Sequence, residues 1–145
     1  MEKTLVTLAD LGAEAVRFVN TLVPDPEKAT LVTLSGELGA GKTAFTKAVA
    51  NALGVSDMVA SPTFVLEKVY RLPEGQAFKQ LVHIDAYRLE SGKELSALGF
   101  DEIMRDPHTL ILLEWPEKVA DMLPLPAVRL SLSVAEDGSR HMVYG

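Results

Sequence analysis

Eight consecutive residues, Gly36-Glu37-Leu38-Gly39-Ala40-Gly41-Lys42-Thr43, fit G-x-x-x-x-G-K-[ST] at every required position. That spacing serves a phosphate chain. Backbone N–H groups of such a loop converge on phosphate oxygens, and a Cβ at Gly36 or Gly41 would crowd them. Lys42 offers a point charge to the β- and γ-phosphates, and the Thr43 hydroxyl is a hard oxygen ligand for Mg²⁺. Ala44 follows at the mouth of the helix that the loop opens. Chemistry on a nucleotide also needs carboxylates, and two apolar runs end in one: Leu81-Val82-His83-Ile84-Asp85 and Leu110-Ile111-Leu112-Leu113-Glu114. Either acid can complete a metal shell or orient an attacking water, and the spacing leaves open which of them touches the metal. A glycine-rich turn with a solvated lysine, and two strand-end charges facing water, are the plainer alternatives. Finding all three features in one short chain weighs against them. His83, inside an apolar run, is read as structural and not catalytic.

These residues can act together only if the elements around them bring them to one edge. Thr30–Ser35 is a short, β-branched apolar run opening onto the glycines, which predicts a buried strand. Ala44, Phe45, Ala48, Val49 and Ala52 recur at helical spacing after the loop, and Gly54 stops them. The chain thus predicts strand, loop and helix in the order the motif requires, with the helix dipole's positive end at the phosphates. Thr109–Glu114 reads as a second buried strand. Phe64–Leu72 and Ala77–Ile84 read as a hairpin around Pro73-Glu74-Gly75, and Ser91–Leu98 as a short helix. Thr4–Leu8 is β-like, and Asp10 is placed as the cap of a helix carrying Leu11, Ala15, Phe18, Val19 and Leu22, ended by Pro24 and Pro26. Ala127–Val134 and His141–Tyr144 form a closing hairpin over Glu136-Asp137-Gly138. The expectation is one α/β domain spanning residues 1–145, with a mostly parallel central sheet, antiparallel hairpins and helices on both faces. In such sheets ligands gather beyond the carboxyl ends of the strands, where Asp85 and Glu114 fall.

Composition narrows the function classes. At 145 residues and 48% hydrophobic, the chain can bury a core without disulfides or structural metal, and it contains no cysteine. Twenty acidic against 14 basic residues give a net charge of −6, the wrong sign for a free-standing high-affinity nucleic-acid binder. Residues 1–23 lack the basic start and unbroken apolar stretch of a signal peptide, and no apolar run is long enough to span a bilayer. A cytoplasmic protein without membrane contact is expected.

Beyond the loop, four further stretches stand in a telling order: SPTF at 61–64, HIDAYRL at 83–89, LGFDEI at 98–103 and LLEWPEKV at 112–119. With GELGAGKT at 36–43, the chain resembles the TsaE family, small ATPases of bacterial tRNA threonylcarbamoyladenosine synthesis, over nearly its whole length. The resemblance implies the P-loop NTPase fold, ATP as substrate and Mg²⁺ as cofactor. It implies that Ser61 and Thr63 sit on a switch-like loop facing the γ-phosphate. Asp85 becomes the Walker B-like acid, and Glu114 a metal-shell ligand or the base for water. Trp115 lies beside that acid, and Arg88 lies near enough to meet phosphate or a partner. Leu11 and Arg140 are the matches to the base pocket. The implied partners are TsaD and TsaB family proteins, with tRNA met mainly through their complex.

Two other classes compete with a nucleotide-driven ATPase switch. A small-molecule kinase needs an acceptor pocket and a lid rich in arginine, but only Arg17, Arg71, Arg88, Arg105, Arg129 and Arg140 are present, and they are scattered. A binding module that never hydrolyses would not need Asp85 and Glu114. A GTPase is disfavoured by the lack of an N/T-K-x-D motif. The expected chemistry is in-line attack of water on the γ-phosphate, slow until partners are supplied.

Overall fold

A computed structural model of the chain describes residues 2–37, 39–55 and 67–145. Their strands form one seven-stranded sheet in the order β1-β7-β6-β2-β5-β4-β3. The strands are β1 (Glu2–Leu5), β2 (Thr30–Ser35), β3 (Glu67–Arg71), β4 (Gln80–Asp85), β5 (Thr109–Glu114), β6 (Val128–Val134) and β7 (Arg140–Tyr144). The four central strands run parallel, and antiparallel pairs close both edges: β3 on β4 at one, β6–β7–β1 at the other. Three of them, β2, β4 and β5, are almost wholly buried and apolar, because helices cover them on both faces, whereas β6 buries only Leu130 and Leu132 on one face. All six residues of β5 are buried.

Two cores flank the sheet. On one face Leu11, Ala15 and Phe18 of α1 (Leu8–Thr21) and Phe45, Val49 and Ala50 of α2 (Lys42–Ala52) pack on Val32, Leu34, Leu110 and Leu112. The Phe18 and Phe45 rings meet at 5.8 Å between centroids and couple the two helices. Such a pair adds about 0.5–1.5 kcal/mol beyond its buried area. On the other face Leu95 of α3 (Gly92–Ala97), Phe100 of α4 (Phe100–Met104) and Val119 pack on Leu31, Val82, Ile84, Ile111 and Leu113. The layers are helix, sheet, helix, as the alternation of elements predicts.

Several boundaries shift from the sequence expectation: the strand expected over 77–84 runs Gln80–Asp85, that over 4–8 runs Glu2–Leu5, and the closing strands run Val128–Val134 and Arg140–Tyr144. Two helix boundaries shift for a clear local reason. The first helix begins at Leu8, and its N-cap is Thr7, not Asp10. Asp10 stands at the third helical position. The Thr7 hydroxyl accepts from the Asp10 N–H while the Asp10 carboxylate accepts from the Thr7 and Val6 N–H groups. This reciprocal capping box satisfies donors that a single cap would leave open, so the preceding strand ends at Leu5. The helix expected over 91–98 stops at Ala97. Gly99, at φ 81°, turns the chain into the separate α4. A glycine in this left-handed conformation ends one helix and starts the next without a steric penalty.

Candidate nucleotide site at the strand ends

The glycine-rich loop lies between β2 and α2, as the sequence predicts. Gly36, Gly39 and Gly41 all adopt positive φ. A Cβ on Gly36 would come within 2.4 Å of the Leu132 carbonyl oxygen in β6, and one on Gly41 within 3.3 Å of Arg140 Nε. Space at these two glycines is therefore limited by the neighbouring β6–β7 hairpin, before any phosphate is considered. Gly41 is the N-cap of α2, whose first N–H groups face the loop. Ala40 is buried behind the loop, and Glu37 is exposed at its tip. Leu38 lies outside the described residues.

Lys42 is buried, although it heads a helix. Its ammonium donates to the carbonyl oxygens of Gly36 and, at 2.9 Å, Glu37, and it stands 4.0 Å above the centre of the Trp115 ring. Burial pushes the lysine's pKa down, and the facing carboxylates of Glu114, Glu117 and Asp85 work against that shift.

The register of the sheet brings the acids to the same place. Leu34, one residue from the end of β2, lies beside Glu114 at the end of β5, which lies beside Asp85 at the end of β4. Glu114 is 2% exposed, and the Thr43 hydroxyl sits 3.3 and 3.4 Å from its two carboxylate oxygens. His83 Nε2 is hydrogen-bonded to Glu114 Oε2 from the adjacent strand. Asp85 accepts from the Tyr87 N–H at 2.9 Å. Burial raises the pKa of its carboxyl above the usual aspartate range, with the Tyr87 bond opposing and the Glu114 charge adding to the rise. His83, whose place in an apolar run reads as structural, here meets the Glu114 carboxylate. Its signal was the H-x-D spacing: in a strand, residues two apart share a face, so His83 points to the side on which Asp85 and Glu114 lie.

Trp115 follows Glu114 in the left-handed region at φ 62°, the sole non-glycine with positive φ among the described residues. That conformation costs roughly 1–2 kcal/mol in a residue with a Cβ. The ring is held by Lys42 on one side and by Tyr87, whose centroid is 4.9 Å away. The Lys42 contact, of order 0.5–2 kcal/mol, is comparable in size to that strain. Arg88 is exposed in the turn after β4, next to Tyr87.

Leu11 and Arg140, far apart in sequence, line one cavity of about 170 Å³ together with Gly41, Ala44, Leu132 and Thr7. The cavity adjoins the start of α2, and its apolar wall and single guanidinium suit a planar heterocycle. Ser61 and Thr63 fall within residues 56–66, outside the described residues.

The fit to magnesium can be judged from the donor set. Thr43, Asp85 and Glu114 supply hard oxygens at one strand edge, next to the glycine cradle. Among the described residues no three histidine, cysteine or acidic side chains gather as a cage of their own. A Mg²⁺ ion that shares its shell with phosphates and water asks for no more than one or two protein oxygens.

A family model described as "Threonylcarbamoyl adenosine biosynthesis protein TsaE" matches residues 8–142. The chain belongs to the TsaE family. Relatives named "tRNA threonylcarbamoyladenosine biosynthesis protein TsaE" include one from Treponema pallidum, 39% identical over 116 residues, or 80% of this chain and 82% of that protein. One from Streptomyces coelicolor is 43% identical over 107 residues, covering 72% of this chain and 69% of the relative. The TsaE fold is likewise seen in the crystal structure of YdiB from Bacillus subtilis, with a TM-score of 0.77 at 27% identity, covering 99% of this chain and 83% of that one. The five motifs that carry the resemblance to TsaE all lie inside the matched span.

Proposed function

We propose that this chain binds Mg-ATP and hydrolyses it as the nucleotide-driven switch of tRNA threonylcarbamoyladenosine synthesis. The observation that carries the reading is the convergence of Gly36–Thr43, Asp85 and Glu114 at one sheet edge, with the Thr43 hydroxyl against the Glu114 carboxylate. The family name supports the pathway, and the donor set at the strand ends supports the chemistry.

In this reading the loop N–H groups and the α2 N-terminus bind the phosphates, while Lys42 neutralises the β- and γ-oxygens. The Thr43 hydroxyl, with Asp85 or Glu114, would hold Mg²⁺, which when bound would neutralise charge at the γ-phosphate. Glu114 orients the attacking water and accepts its proton at a carboxylate oxygen. Leu11, Ala44 and Arg140 receive the base. Ser61 and Thr63 report the γ-phosphate to the rest of the complex. The partners are TsaD and TsaB family proteins, whose enzyme this chain activates or resets, and they also carry the tRNA contacts. The location is the cytoplasm, where that machinery works. No helix among the described residues is long and apolar enough to cross a membrane.

The experiment is ATP turnover by the purified chain, alone and with TsaD and TsaB family proteins, with small phosphate acceptors as controls. Slow phosphate release that the partners accelerate supports the reading. Transfer to an added acceptor would instead make the chain a small-molecule kinase, and absence of turnover under all conditions would leave only a binding module.

A further inference from the structure

His83 is fully buried in β4, and its Nε2 is the closest partner of the Glu114 carboxylate; the Thr43 hydroxyl is farther off, at 3.3 and 3.4 Å. A carboxylate can only accept, so the hydrogen lies on Nε2. Nδ1, equally buried, has no hydrogen-bond partner among the described residues, so Nε2 is the ring's one polar contact there. The ring is locked between strands, since His83 lies opposite Leu112 on β5 and Lys68 on β3. A glutamate has three rotatable bonds, and one at a strand end can swing. A fixed N–H on one carboxylate oxygen removes that freedom. We infer that His83 is a positioning residue for Glu114, its Nε2–H holding the carboxylate in the orientation that hydrolysis requires.

The inference rests on the hydrolytic reading above. The alternative is that His83 merely satisfies a buried acid, in which case its loss lowers stability and leaves the rate untouched. Supporting groups of this kind around a reacting centre are typically worth about 10–100-fold.

The test compares His83→Leu with His83→Gln, whose amide can present an N–H at similar reach. Single-turnover ATP hydrolysis, Mg-ADP affinity and thermal stability are measured on each. His83→Leu should lower the hydrolysis rate about 10–100-fold, with nucleotide affinity changed less than about threefold, and His83→Gln should recover most of the rate. A second readout is independent of turnover. The His83 ring N–H should appear in nitrogen-edited NMR as a slowly exchanging resonance, unlike that of the exposed His108, and should be lost in Glu114→Ala. Wild-type rates in His83→Leu, equal rate losses in both variants that follow their stability, or a ring N–H indifferent to Glu114→Ala would each overturn the inference. A wild-type chain with no turnover, alone or with partners, overturns the hydrolytic reading itself. That outcome also removes the rate role of His83, and the wild-type arm distinguishes it from failure of the inference alone.

Discussion

At the scale of single residues, roles divide by whether a side chain acts on bound nucleotide or on its reaction. Lys42→Ala and Thr43→Ala should each abolish measurable ATP turnover, checked by phosphate release. Lys42→Ala also frees the Gly36 and Glu37 carbonyls and uncovers the Trp115 ring, so a lower melting temperature should accompany it. In the proposed mechanism the loop and Lys42 would supply most ground-state binding, so Glu114→Ala should cut single-turnover hydrolysis at least about 100-fold while Mg-ADP affinity falls far less. Trp115 gives a direct readout. As the chain's one tryptophan, 4.0 Å from Lys42, its fluorescence should change when Mg-nucleotide draws on that lysine. Residues whose chemistry is local were legible in the sequence: the glycines, Lys42, Thr43 and the strand-end acids. The burial of Lys42 was not, because it depends on how far one element leans on another; for His83 the H-x-D spacing shows only the face it shares with Asp85, not that its ring reaches Glu114.

At the scale of elements, what could be read depends on how many residues share a signal. Strands β2 and β5 are continuous apolar runs, and both appear with the bounds their sequences predict. The start of α1 turned on one hydroxyl. Thr7 and Asp10 are both good caps, and only the reciprocal bonds between them decide the matter. Thr7→Ala should therefore cost about 1 kcal/mol in denaturant unfolding, with the fold retained. At the end of β4, Asp85 carries a penalty of the opposite kind. Burial raises its pKa above the ordinary 3.8, so its charged form is costlier folded than unfolded. The folded chain consequently loses stability as pH rises past the ordinary value and up to the raised one. Asp85→Asn should raise the melting temperature at pH 7, and the gain should vanish in acid below that window. The same variant should lose turnover. Parallel melting curves at the two pH values check the first claim; a lower melting temperature at neutral pH would contradict it.

At the scale of the whole molecule, the fold follows from alternation of element types, since central parallel strands need helical cover on both faces. The cavity lined by Leu11 and Arg140 is a whole-molecule property too. Leu11 and Arg140 come from opposite ends of the chain and meet only because β1 and β7 pair at the sheet edge. Among the described residues the tie is reinforced by Tyr144, whose hydroxyl donates to Glu14 at 2.8 Å, and by Arg17 on the same carboxylate. The net charge of −6 belongs to this scale as well. The isolated chain should show no measurable tRNA binding by anisotropy at physiological salt, and binding should appear only when the partner proteins are added.

The near-contact between Gly36 and the Leu132 carbonyl has a consequence for portability. The eight-residue loop looks like a cassette, complete in its own sequence, that could be grafted between any strand and helix. In this molecule one wall of the cassette belongs to someone else. A β6 carbonyl lies 2.4 Å from where a Gly36 side chain would begin, and Arg140 crowds Gly41 from the next strand. A recipient scaffold without a neighbouring parallel strand at that separation would leave the loop free to splay, with every prescribed residue in place. The motif is a fragment of a socket, and the adjacent hairpin is the other half.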